Sequence, residues 1–249
     1  MSGDRHLRAL QRAPQDPEGE ARLLSERLRR GEADPERLAL AAYLGHGPAR
    51  EALGAQAPAF ASSFNAFLTG LRRWGAGAWV RAALAGAREV VALWDTRHAS
   101  DPRPREALTA TEEWLRHRTS ERAKQAHAAA DACYLILGEL EEPTAGAPGP
   151  PWPERWATAF RETRAAGLAA LSAAHVGDMS FRYAKLSLTA SRERLALAEV
   201  PGGPGGAALF SRAAQVDRLG HLPELDTESS ARLLRARIAA ELLPRALAE

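Results

Sequence analysis

The sequence predicts an all-α protein, an irregular bundle or stack of several helices interrupted by two Pro/Gly-rich loops. Three observations predict it. Helix-start punctuation recurs along the chain, the apolar residues advance by three and four, and no stretch alternates with period two. Val, Ile and Thr are sparse, so a sheet is disfavoured.

The clearest starts are Asp16-Pro17-Glu18 and Asp34-Pro35-Glu36. In each, an Asp can accept the free N–H groups of a first turn. Proline follows where its missing N–H costs nothing, and an acid then complements the helix dipole. Trp152-Pro153-Glu154 and Ser100-Asp101-Pro102-Arg103-Pro104 are looser versions.

Between Trp74 and Trp94 the set Val80, Leu84, Ala87, Val91 and Trp94 predicts one amphipathic helix with a buried stripe. From Glu121 to Gly138 the expected stripe is Ala123, Ala126, His127, Ala130, Cys133, Tyr134 and Leu137, with His127 as a core histidine. From Glu154 to Ala174 it is Trp156, Phe160, Thr163, Gly167, Ala170 and Ala174. Met179 to Ala198 carries apolar residues on two faces, as in a helix sandwiched between others. The last helix begins at Glu228, aligns Leu234, Ile238 and Leu242, and should end or kink at Pro244.

Two stretches read as loops, about 141–153 and 200–206. The first holds five prolines and two glycines; the second runs Val-Pro-Gly-Gly-Pro-Gly-Gly from Val200. The expectation is one helical domain over 1–249 with two flexible excursions. No tetratricopeptide, ankyrin or armadillo period is present.

Composition bounds the function. With 33 cations against 31 anions the net charge is +2, and arginine supplies all the cations but Lys124 and Lys185. Acids are interspersed among them. From Gly206 to Glu249 there are six arginines and six acids, so a nucleic-acid partner is disfavoured. Cys133 is the single cysteine, which excludes an internal disulfide. Charges in the first ten residues break any signal-peptide core, and no apolar run approaches the ~18 residues that span a bilayer. The expected location is cytoplasmic, away from membranes.

No catalytic, metal or cofactor constellation emerges. The seven histidines lack the i, i+4 pairing with an intervening Glu that holds zinc on a helix face. His127 and Cys133 stand six residues apart, some 120° around a helix, too far to form a nucleophilic pair. His175 with Asp178 has no nucleophile beside it. Glu112-Glu113 and the acids at 139, 141 and 142 read as solvated faces. An enzyme would need a site gathered from distant residues such as His127, His175 and Glu112. The tryptophans fill gaps between helices, except Trp152, which stands among prolines and is a candidate partner contact.

The run Asp101-Pro102-Arg103-Pro104-Arg105-Glu106-Ala107-Leu108-Thr109-Ala110-Thr111-Glu112-Glu113-Trp114 resembles the D-x-R-P-R-x-A-[IL]-x-A-x-x-x-W signature of a family of immunity proteins. These are helical proteins predicted to accompany bacterial polymorphic toxins. Asp16 to Gly54, with its core Glu-Arg-Leu-Ala-Leu-Ala-Ala-Tyr-Leu-Gly, is similar to the N-terminal module of related helical proteins from myxobacteria and other GC-rich bacteria. The two blocks cover about a quarter of the chain. The resemblance implies a protein-binding inhibitor with one protein partner (a toxin, a protease or another enzyme), and makes Arg103 and Arg105 candidate contacts beside Trp152. Physically the block also reads as a helix start: Asp101 caps, Pro104 opens the helix, Ala107, Ala110 and Trp114 pack inward, and both arginines reach acids on a neighbouring helix.

Overall fold

The structure, a computed structural model, describes residues 16–95, 98–140, 170, 172–177, 181–199 and 227–248. All regular structure among them is helical, as the sequence predicts. The two loops expected near 141–153 and 200–206 lie outside the described residues, as do Trp152 and Trp156. No helix among the described residues is long and apolar enough to cross a membrane.

The helices gather into two compact units, Met1–Trp74 with Arg235–Glu249, and Gly75–Leu234. The first unit starts with α1 (Pro17–Arg29) and α2 (Pro35–Tyr43), each opened as expected by its aspartate. Asp16 accepts from Glu18 N at 3.1 Å and Asp34 from Glu36 N at 2.9 Å. A short helix α3 (Gly47–Leu53) is capped by His46, whose Nδ1 accepts from Ala49 N while Nε2 lies 3.3 Å from Glu20. After a 3₁₀ turn (Gly54–Gln56) and a loop comes α4 (Phe64–Gly70).

Leu24, Leu38, Ala41, Ala42, Ala49 and Leu53 form this unit's core with Ala246. Beside it Tyr43 stacks on Phe67, with ring centroids 5.4 Å apart, and leans on Trp74. The Tyr43 hydroxyl donates to Phe67 O at 2.8 Å, a carbonyl in the last turn of α4 that also accepts the Leu71 N–H. Gly70 makes that possible, because a Cβ there would overlap the hydroxyl. Burial pushes the Tyr43 hydroxyl's pKa up, against a smaller opposing pull from Arg235.

The second unit contains α5 (Gly75–Asp95), α6 (Arg103–His117), α7 (Ser120–Glu139), the helical segment 172–177 and α8 (Phe181–Glu199). The stripe expected on α5 is buried throughout, and residues 82–87 are buried without a break, so the helix is encased over more than a full turn. α6 and α7 form an antiparallel hairpin joined by Arg118 and Thr119. Arg118 closes α6 in the left-handed region (φ 31°), and Thr119 caps α7 by accepting from Arg122 N.

Two expectations are corrected and a third is narrowed. His127 is exposed, not core. The buried line of α7 is Ala126, Ala130, Cys133 and Ile136, and a residue one step after Ala126 is turned about 100° away from it. α8 does not bury two faces among the described residues: Ala184, Ser187, Leu188, Ala190 and Ser191 are buried, whereas Leu186 is 40% exposed. The last helix, α9 (Thr227–Leu247), runs on past Pro244. A proline inside a helix removes one N–H, here the donor to the Ala240 carbonyl. Ala240 is exposed, so water can serve that carbonyl. Ala248 N still bonds Pro244 O at 3.0 Å, and buried Ala246 holds the last turn.

Candidate functional site

The block singled out in the sequence folds as the start of α6. Asp101 Oδ1 accepts from the backbone N–H of Arg103 at 3.1 Å and from its Nε at 2.9 Å, and Oδ2 accepts from Nη2 at 2.7 Å. The same guanidinium reaches across to the end of α7 and donates to both oxygens of Glu139, at 2.8 and 2.6 Å. Arg105 makes a two-bond pair with Asp95 at the end of α5, at 2.8 and 2.6 Å. The expected pairing of both arginines with acids of neighbouring helices is therefore present. Each guanidinium is engaged on the chain's own carboxylates in the planar fork that suits them.

Electrostatics follow geometry. The Arg103 hydrogen bonds hold the Asp101 and Glu139 carboxyls below the usual carboxylate range, and the two acids push the Arg103 guanidinium up. Trp94 Nε1 donates to Asp101 O at 3.2 Å, and Trp94 stacks on His98, so the turn that carries Asp101 is fastened from α5. Further along, Arg88 of α5 donates to Glu112 by Nε at 3.2 Å and Nη2 at 2.7 Å, and Glu113 pairs with Arg116.

The inward line of α6 is Pro104, Ala107, Leu108, Thr111 and Leu115. Ala110 and Trp114, expected to pack inward, are only half-buried at its margin. They lie on the side of the cylinder next to the i, i+4, i+7 set that starts at Pro104.

Two further polar clusters are buried in this unit. Tyr134 Oη lies 2.8 Å from His175 Nδ1, and the His175 ring sits 5.4 Å from Tyr183 on α8. His175 is thus a buried histidine hydrogen-bonded to another helix, the place the sequence predicts for His127; Asp178 lies outside the described residues. The second cluster joins Ser172, Ser187 and Ser191, all fully buried. Ser172 and Ser191 hydroxyls are 2.7 Å apart, and Ser187 Oγ donates to Ser172 O at 2.8 Å. The sequence reading missed this cluster. Its signal is a serine pair at i, i+4 on α8 where an apolar stripe would have leucines.

Chemically these arrangements bind protein to itself. Burial pushes the Cys133 thiol up to about 12, so it stays protonated and is a poor nucleophile. Glu112 is engaged by Arg88, and His175 by Tyr134. Among the described residues no group of three or more His, Cys, Asp or Glu side chains is placed to hold a metal ion. Comparison with protein-family models, with curated proteins and with solved structures finds no match.

Proposed function

We propose that the chain is a cytoplasmic protein-binding protein that inhibits or sequesters one protein partner, in the manner of an immunity protein facing a toxin or a regulatory inhibitor facing a protease. The observation that carries this reading is the pair of large apolar side chains held outward, one in the loop before α4 and one on α7. Phe60 is 69% exposed and Leu135 on α7 is 64% exposed. Aromatic side chains are enriched at protein interfaces, and apolar groups left exposed can be covered by a partner. The resemblance of residues 101–114 to immunity proteins points the same way.

A nucleic-acid regulator fits less well. Arg88, Arg103, Arg105 and Arg116 are engaged on acids of the chain itself, and a duplex binder needs cations directed at phosphates.

An inhibitor that covers its target acts by stoichiometry. Where a toxin or secreted enzyme is encoded beside the gene, co-expression with it should abolish that protein's activity at one chain per target, with a complex of that ratio on gel filtration. Activity untouched by excess chain, or inactivation by a small fraction of an equivalent, would sink the reading.

A further inference from the structure

We propose that Phe60, seated on Arg50, is the anchor of the partner contact, entering an apolar pocket whose rim carries a carboxylate for Arg50. The proposal rests on the protein-binding reading above and names its surface within the first unit.

Residues 57–63, Ala-Pro-Ala-Phe-Ala-Ser-Ser, link the 3₁₀ turn to α4 and contain one large side chain. Phe60 is the most exposed large apolar residue among those described, yet it is not loosely held. Arg50 of α3 donates Nη2 to Pro58 O at 2.8 Å and to Ala42 O at 3.2 Å, tying the loop to the end of α2. Its guanidinium lies 3.6 Å from the Phe60 ring centroid. One face of the ring rests on the cation and the remainder is presented outward.

This placement has a cost in the free chain. Arg50 Nε is buried with no acceptor, and burying an N–H without a partner is unfavourable. A ring whose role was only to fill the interior would turn toward Phe64 and Phe67, which are both buried. Arg50 also differs from Arg73, Arg88, Arg103 and Arg105, each of which meets a carboxylate. Among the described residues Arg50 meets two carbonyls and a ring, and its charge is left without a neighbouring anion. Charge complementarity therefore favours an acid on the partner. A pinned aromatic loses little freedom on binding, and both aromatic residues and arginine are enriched at protein interfaces.

The test places a photo-crosslinking benzophenone amino acid at position 60 of the full chain in the producing cell, with the unsubstituted chain as the control. The expected result is one discrete adduct with another protein from position 60 and none from the control. With that protein purified, Phe60→Ala should raise Kd by about 30-fold or more, with circular dichroism and melting temperature unchanged. Arg50→Lys keeps the charge but loses the fork that fixes the loop, and should weaken binding by a smaller factor, about tenfold. No adduct at 60, an adduct with a second copy of the chain or with nucleic acid, or a folded Phe60→Ala that binds within about threefold of the parent, overturns the proposal. Phe60→Ala that still neutralises the toxin removes the anchor and leaves the inhibitor reading intact. A protein bound through Phe60 whose activity is unaffected by saturating chain does the reverse.

Discussion

Two interfaces within the second unit are built on opposite plans. The α6–α7 hairpin is fastened at its rim by charge: Asp101, Arg103 and Glu139 join the two open ends, and Trp94 and Arg105 tie them to α5. The contacts of α5, α7, α8 and segment 172–177 instead depend on side chains being small. Gly86 leaves room for Leu188, Gly177 for Ala130 and the Ala126 carbonyl, and three serines bond to one another where larger groups would not fit. Charges at a rim steer helices into register while water still reaches them. Small residues in a core let backbones approach, and they tolerate no added volume.

Adding volume should therefore do the greatest damage. A Cβ at position 177 would stand 2.7 Å from Ala130 Cβ and 2.8 Å from Ala126 O, both fixed to α7. Gly177→Ala should cost ~3 kcal/mol in urea unfolding. Gly86→Ala meets chiefly the tip of Leu188, at 2.7 Å, which can rotate aside, so ~1 kcal/mol is expected. The reverse order would show that the α7 backbone does not limit the approach.

The serine cluster comes next. Ser172→Ala takes away the group nearest the Ser191 hydroxyl in a fully buried site. A loss of ~1–2 kcal/mol is expected, and the double change with Ser191→Ala should fall short of additivity by ~0.5 kcal/mol or more. Full additivity would mean that the hydroxyls do not act as a unit.

Breaking the rim should do less. Arg103→Ala should lower stability modestly, by an amount that shrinks with added salt. Asp101 and Glu139 have folded pKa values below their unfolded ones, so their contribution is complete above about pH 4 and is lost as pH falls through the lowered values. The urea midpoint of the parent should drop on that acid limb, and Arg103→Ala should flatten the drop. An unchanged acid limb would remove the electrostatic account of this end of the hairpin.

The smallest signal is chemical. Cys133 is fully buried with its pKa near 12, so at pH 8 a thiol reagent should label the native chain only as fast as the chain opens. Rapid labelling would show that the hairpin core is open to solvent.

The same contrast explains what the sequence reveals. Aspartate caps at 16 and 34, the α5 stripe and the ion pairs of Arg103 and Arg105 are legible because each rests on local spacing and on residue types with few alternatives. α7 is harder. Its run Ala126-His127-Ala128-Ala129-Ala130 offers nearly the same residue at every angle, so the phase of the buried line is ambiguous and His127 is assigned inward when it points out. The serine cluster and the Tyr43–Gly70 fit depend on residues brought together by tertiary contact, and no periodicity encodes them. Phe60 escapes the pattern for a different reason: it lies in a loop, where neither helical nor strand period applies.

The two-residue link of Arg118 and Thr119 has a consequence for the order of folding. Closing the α6–α7 hairpin encloses a very short loop, whereas α5 and α8 meet across about a hundred residues of chain, at a greater entropic cost. Local contacts of this kind form early, and the distant ones wait until much of the chain is already constrained. Substitutions inside the hairpin, such as Ala107→Gly, should then slow refolding. Those at Gly86 or Ser191 should leave the refolding rate nearly unchanged and appear as faster unfolding.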